Sequence, residues 1–186
     1  MGGGDKPLRF LGGRPILSRV LERLAPQVGA LALNANGDPA RFAAVAPGTR
    51  VLPDPVPGHP GPLAGILAGL DHAASAGFAW VITVPGDSPF LPPDLAARLD
   101  AARRVAGTRL ALAASAGRVH PPIGLWPADL RDDLRAALSG GERRVSRWAA
   151  RHDPATAEWA ADPLDPFLNL NTPEDLDAAE ALLRAP

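Results

Sequence analysis

Asp87 is the residue on which chemistry is most readily built. It sits in Val84-Pro85-Gly86-Asp87-Ser88-Pro89, directly after a short, mostly apolar and β-branched run from Phe78 to Val84. Such a run is expected to be a strand buried on both faces of a parallel sheet. A carboxylate just past the carboxyl end of a strand in an open α/β sheet can hold a hard cation against a bound phosphate. Asp, Ser and Pro are also ordinary turn formers, so this motif alone leaves a plain turn open.

Other polar residues stand at comparable places. Met1-Gly2-Gly3-Gly4-Asp5-Lys6 offers backbone N–H groups that can approach an anion, with a lysine charge beside them, or else a flexible terminus. Asn34 closes the run Gly29 to Leu33, where Asn-Gly chemistry also explains a turn, and Asp54 follows the short strand expected over Arg50 to Pro53. His120 precedes two prolines, a setting in which histidine is usually structural. Arg143 and Arg144 follow Gly140-Gly141, where they fit a solvated helix start or a phosphate clamp. Thr172, Pro173 and the acids after them read as a helix cap. That leaves Asn169 and Asn171, alternating on an expected short strand and so facing one side.

The elements that must position these residues alternate between strand and helix. Helices are expected from Pro15 to Pro26, over Ala40 to Val45, Leu63 to Ala76, Pro93 to about Arg104 (Leu95, Leu99 and Val105 inward), Pro127 to Leu138, and from Gly140 onward. Further strands are expected over Arg109 to Ala114 and Val119 to Trp126, the latter with prolines suited to an edge or a break in pairing. Gly65 and Gly69 share one helix face, which favours close packing on a sheet. With no internal repeat and no long linker, this pattern implies a single three-layer α/β domain with a mostly parallel sheet.

Composition narrows the function classes. The chain has 186 residues, no cysteine and four histidines, at 59, 72, 120 and 152, without zinc-site spacing. A formal net charge of −1 gives no ground for nonspecific binding to nucleic acid or an anionic membrane. No apolar run is long enough to span a bilayer and no signal region opens the chain, so a cytoplasmic location is expected.

The fragments GGGDKPL (residues 2 to 8), LNAN (33 to 36), GPLAGILAGL (61 to 70), VPGDSPFLPPDLAARL (84 to 99), HPPIGLW (120 to 126), GGERRV (140 to 145) and NLNTPEDL (169 to 176) resemble the molybdenum cofactor guanylyltransferases, in that family's order. The resemblance implies a Rossmann-like nucleotidyltransferase domain over residues 1–186. The implied reaction moves GMP from GTP to the terminal phosphate of molybdenum-molybdopterin, with Mg²⁺ required and pyrophosphate released. It implies Lys6 at the nucleotide phosphates beside the backbone of Gly2 and Gly3, Asn34 and Asp54 at the guanine nucleotide, and Asp87 on Mg²⁺. The second substrate's site would extend to His120, Arg143, Arg144, Asn169 and Asn171. Partners would be GTP and molybdopterin, with molybdenum-insertion proteins upstream and a molybdoenzyme downstream.

Family members begin with a strand running into a Leu-Ala-Gly-Gly loop and an arginine, ahead of the Met-Gly-Gly piece that opens this chain. That strand lies inside the sheet, and its loop lends N–H groups to the nucleotide. The natural start is therefore expected about 15 to 20 residues upstream, enough for one strand and the loop. Without them GTP binding should be badly weakened. Three other readings stand beside guanylyl transfer: cytidylyl transfer to the same pterin, a non-catalytic nucleotide- or pterin-binding relic, and sugar-phosphate nucleotidyl transfer.

Overall fold

The computed structural model describes residues 6–56, 58 and 61–184. The expectations for Gly2, Gly3 and His59 fall outside them. In chain order the strands are β1 (Phe10–Leu11), β2 (Arg14–Pro15), β3 (Ala32–Asn34), β4 (Arg50–Leu52), β5 (Trp80–Thr83), β6 (Ala111–Ser115), β7 (Arg118–Pro127) and β8 (Ala155–Trp159). The helices are α1 (Ile16–Leu24), α2 (Pro62–Ala76), α3 (Leu95–Ala106), α4 (Arg131–Ser139), α5 (Val145–Ala149) and α6 (Pro173–Arg184). The helix expected over Ala40 to Val45 is a 3-10 turn, Pro39–Phe42, whose start is capped by the Asp38 carboxylate.

Two glycines one turn apart on α2 organise the strands above it. A β-carbon on Gly65 would lie 2.6 Å from Asn34 Oδ1, and one on Gly69 would lie 3.2 Å from Val81 Cγ1. The small face of α2 thus lets β3 and β5 come down together onto a single helix, as the glycine spacing predicted. The first glycine meets the last residue of β3, so β3 runs against the helix. A three-residue connection returns the chain from the helix end to the start of β5, so β5 runs against it as well.

Strands β3 and β4 pair in parallel, while β5, β7, β6 and β8 form a separate four-stranded sheet in that order. In it β7 runs antiparallel to both β5 and β6, and β6 runs parallel to β8. The α/β class stands, but pairing is mixed rather than mostly parallel. The turn Ala116-Gly117 folds β7 straight back on β6, and a tight hairpin can only join antiparallel strands. Strand β7 is interior rather than an edge. Its prolines are accommodated because the ladder slips there, His120 lying opposite Ala113 and Gly124 opposite Leu112.

Alternate residues of the four-stranded sheet feed two cores. Leu110, Leu112 and Trp126 pack with α2, α4 and α5, while Ala111, Ala113, Ile123 and Leu125 pack with α3 and with Val20 and Leu24 of α1. Helices on both faces make the expected three layers. The Trp126 and Trp148 rings stack with centroids 5.5 Å apart, and both indole N–H groups are satisfied, by Thr83 Oγ1 and Asp133 Oδ2. A stacked aromatic pair contributes about 0.5–1.5 kcal/mol beyond the area it buries. Leu95 and Leu99 point inward, but Val105 is 90% exposed, because it lies off the stripe that Leu95, Leu99 and Ala102 form on α3.

The expectation for β5 needs correction. It is not buried on both faces of a parallel sheet: its one paired edge faces antiparallel β7, and Val81, Ile82 and Thr83 are only half-buried. Nor do Asn169 and Asn171 lie on a strand; that segment is irregular, tied to the rest through its backbone by the Leu170 N–H, which donates to the Asp87 carbonyl.

Candidate active site

Asn34 ends β3 and Asp54 lies two residues beyond β4, so parallel pairing brings their side chains together. Asn34 Nδ2 donates to Asp54 Oδ1 at 3.0 Å and to the Leu52 carbonyl at 3.1 Å. Asn36 completes the cluster, donating from Nδ2 to Asp54 Oδ2 at 2.8 Å and accepting the Asp54 N–H at 2.9 Å. The carboxylate is thereby oriented by two amides, and Asn36 is a member that the sequence reading passed over as part of a turn.

A cleft of about 740 Å³ runs from this cluster to Asp87, lined among others by Asn34, Gly65, Pro7, Asp87, Pro122 and Asn169. Asp87 is half-buried in its wall. Burial raises its pKa above the ordinary carboxylate value, against the smaller downward pulls of its own backbone N–H and of the Lys6 charge. Lys6 is therefore close enough to act on Asp87, and Pro7 packs against Gly86, where a β-carbon would meet the proline ring at 3.2 Å. Asp87 and Pro7, the neighbour of Lys6, both line the cleft.

The C-terminal asparagines are tied to the same loop. Ser88, fully buried, donates to Asn169 Oδ1 at 2.5 Å, and Lys6 Nζ donates to Asn171 Oδ1 at 3.1 Å. Thr172 and Asp175 then start α6 as a reciprocal cap: Thr172 Oγ1 accepts the Asp175 N–H, and Asp175 Oδ2 accepts the N–H groups of Asn171 and Thr172. These backbone donors hold the Asp175 carboxyl below its usual range.

The remaining residues fall elsewhere. His120 lies on β7, two residues before the cleft-lining Pro122, with its ring against buried Phe167. Arg143 turns its guanidinium onto the carbonyls of Leu138 and Glu142, bracing its own loop, whereas the Arg144 guanidinium is exposed and unpaired among the described residues. Glu142 is the organiser of that motif. Its side chain is 6% exposed and accepts the N–H groups of Arg143 and Arg144, with Arg147 and Arg151 also near, and those N–H bonds hold its pKa down.

No cluster of three or more His, Cys, Asp or Glu side chains suited to a metal occurs among the described residues. Asp87 nevertheless fits a magnesium ion of the kind that takes one or two protein carboxylates and fills its other positions from phosphates and water. It is a partly desolvated carboxylate facing a cleft, and a cation would relieve its burial. No helix among the described residues is long and apolar enough to cross a membrane.

Comparison with known proteins gives the chain's relatives in sequence and fold. Molybdenum cofactor guanylyltransferases from Rhodopseudomonas palustris (strain BisB5) and Bradyrhizobium sp. (strain ORS 278) are 55% and 58% identical over 185 residues. The matches cover 98% of this chain and 87% and 86% of those proteins. The molybdopterin-guanine dinucleotide biosynthesis protein A of Archaeoglobus fulgidus superposes with a TM-score of 0.76 at 22% identity, over 97% of this chain and 91% of its own. The 4-diphosphocytidyl-2C-methyl-D-erythritol synthase of Anaerococcus prevotii shares the fold at a TM-score of 0.75 and 14% identity, covering 98% and 94%. Residues 1–155 match the model of the MobA-like NTP transferase domain, and the chain belongs to that family.

Proposed function

We propose that this protein transfers GMP from GTP to the terminal phosphate of molybdenum-molybdopterin, releasing pyrophosphate. The observation that carries this reading is the single cleft that Asn34 and Asp87 both line, with Asp54 held to Asn34 at one end and Lys6 beside Asp87 at the other, in a chain so similar to named guanylyltransferases. An oxygen of the acceptor's phosphate attacks the α-phosphorus of GTP, and the bond from that phosphorus to the β-phosphate bridge breaks. Such a transfer asks the protein for alignment and charge neutralisation rather than covalent chemistry.

The chain's own groups divide that work. The Asn34–Asp54–Asn36 cluster, a preoriented carboxylate flanked by amides, binds the nucleoside end of GTP. Lys6 places its charge against the phosphates and is held there by Asn171. Asp87 would hold magnesium, which would supply neutralisation of the phosphate charge. Asn169, oriented by Ser88, faces the acceptor. Arg144, with no competing partner among the described residues, is the better placed of the two arginines to meet an anionic substrate.

Residues 1–186 act in this reading as a single domain whose sheet takes one further strand. Strands β3 and β5 run the same way on one helix but do not pair with each other, and the cleft between them is walled by Leu31, Leu33, Val81, Ile82, Leu17 and Val20. That is an apolar slot between two unpaired strand edges, the setting an inner strand requires. A further apolar strand laid along those edges, among the described residues unpaired, would join the two sheets.

Transfer of labelled GMP from GTP to molybdopterin, by this chain and by one extended with such a strand and loop, is the direct test. Preference for CTP, or pyrophosphate release with sugar phosphates in place of the pterin, would overturn the assignment. The non-catalytic reading is supported only if both forms fail to turn over.

A further inference from the structure

A second cavity opens at the amino end of β5, whereas Asp87 follows that strand's carboxyl end. Its volume is about 720 Å³, the size of a small-molecule pocket. Four elements frame it: Trp80 opens β5, Arg103 lies on α3, Arg109 precedes β6 and Arg131 opens α4. Trp80, Pro127 and Ala128 give it an apolar wall, and Trp80 is the one described residue that also borders the main cleft.

The polar groups here are donors in excess of their acceptors. Arg103 lays its guanidinium over the Trp80 ring, with Cζ 3.9 Å from the centroid. Its Nη2 donates to Asp100 Oδ1, but Asp100 Oδ2 is taken by Arg104 Nε at 2.8 Å, which leaves Arg103 Nε unmet. That nitrogen is the one buried side-chain polar atom without a hydrogen-bond partner among the described residues. Such exceptions are few in folded proteins, and one beside a cavity is explained by an acceptor that the protein does not itself supply. Arg131 makes no hydrogen bond among the described residues and meets Asp132 only as an ion pair at 3.6 Å. Arg109 spends one nitrogen, Nη2, on Asp129 at 2.6 Å.

The charges are sorted by depth. The Asp129 and Asp132 side chains are 71% and 80% exposed, that of Arg103 is 15% exposed, and those of Arg109 and Arg131 lie between. Negative charge therefore stands at the rim, where water and salt screen it, and positive charge lies deeper beside the apolar wall.

We propose that this cavity is a second ligand site, for a small aromatic molecule carrying a phosphate or carboxylate: its ring packs on Trp80, which Arg103 backs, and its anion is taken by Arg131 and Arg109. Guanidinium groups suit both halves of such a ligand, because they bind oxyanions through paired N–H bonds and stack on flat rings. A neutral ring would use only the wall. The site stands apart from the transfer reaction proposed above, and neither assignment depends on the other.

Tryptophan emission of the full chain tests it, because Trp126, Trp148 and Trp159 are buried and Trp80 is the exposed one of the four. Phenyl phosphate is expected to change the emission saturably, and benzyl alcohol, which keeps the ring without the anion, to act about tenfold more weakly. Arg131→Gln, a change at a half-exposed side chain, is expected to weaken phenyl phosphate about tenfold without altering the fold. Lys6→Gln, which removes a cation of the main cleft, should leave the midpoint within about twofold. In Trp80→Phe the emission response should vanish while calorimetry still registers binding. An unchanged midpoint in Arg131→Gln overturns the proposal, as does equal action of phenyl phosphate and benzyl alcohol or the absence of any saturable response. Loss of the response in Lys6→Gln would place the anion in the main cleft and overturn it as well.

Discussion

The Leu170 N–H donates to the carbonyl of Asp87 at 3.0 Å, so the segment that carries Asn169 and Asn171 is hung from the loop that carries the cleft's carboxylate. Ser88 and Lys6 repeat the connection through side chains, to Asn169 and Asn171 respectively. Three parts of the chain, near residues 6, 87 and 170, thus behave as one rigid corner. Displacing any of them changes the distance between the expected phosphate ligand and the expected metal ligand.

Asp87→Asn separates stability from activity. Burial raises the folded-state pKa of Asp87, so the folded protein binds that proton more tightly than the unfolded chain. The stabilisation of the protonated form is present below the unfolded pKa and is lost as pH rises toward the folded value, leaving a penalty at pH 7. The variant is therefore expected to melt above the parent at pH 7 and to lose that advantage below about pH 4. GMP transfer should fall about 10²- to 10³-fold, the scale of losing one group that stabilises developing charge. A variant that melts lower at pH 7 while keeping activity would contradict both halves.

Gly65→Ala sets helix propensity against the site. Alanine is better than glycine inside a helix by about 0.8–1.0 kcal/mol. The added methyl would sit 2.6 Å from Asn34 Oδ1, at the far end of an exposed side chain that can swing away. Swinging breaks the bond to Asp54. Thermal melting should then rise by about 2–4 °C, while the KM for GTP rises about tenfold. Equal losses in stability and affinity would mean that the backbone rather than Asn34 gives way.

How much of this was legible beforehand follows from where each signal lies. Asp87 stood out because its cues are local: an apolar β-branched run, then Pro-Gly-Asp-Ser-Pro. The packing face of α2 was readable from two glycines at helical spacing. Strand β8 was passed over, although Ala155, Ala157 and Trp159 alternate with exposed Thr156 and Glu158, because alanines give weak contrast. The Ser115–Asp165 contact had no local cue, since β6 is buried at every position and shows no alternation. Sheet direction was misjudged for a related reason: the hairpin that reverses β7 turns through Ala116, a residue with no preference for turns.

That hairpin gives a stability prediction. Ala116 and Gly117 have φ of 49° and 71°, a two-residue turn between the paired Ser115 and Arg118 with both central residues left-handed. The left-handed region costs an ordinary L-residue roughly 1–2 kcal/mol, and asparagine tolerates it best at this position. Ala116→Asn should stabilise the protein by about 0.5–1 kcal/mol and raise the melting temperature by about 2 °C, with GMP transfer unchanged. A lower melting temperature would show that Ala116 makes contacts whose loss outweighs the relief.

The slot between β3 and β5 makes the strongest physical demand. An apolar strand lying in it would pair both free edges, take Val81 and Ile82 from half-buried to buried, and join two sheets into one. Fully burying a valine or isoleucine side chain contributes about 1.5–3 kcal/mol, so completing two half-burials and covering Leu31 and Leu33 contributes several. Amides on the slot side of β3 and β5 should exchange rapidly in this chain and become protected when a β-branched peptide is supplied. Binding of such a peptide at 100 times its Kd stabilises by about 2.7 kcal/mol, and the melting temperature should climb with its concentration. A scrambled peptide of equal composition should do less, because apolar residues that face the wrong side of the sheet cannot fill the slot. Equal protection by both would reduce the slot to a greasy surface and remove the case for a specific strand.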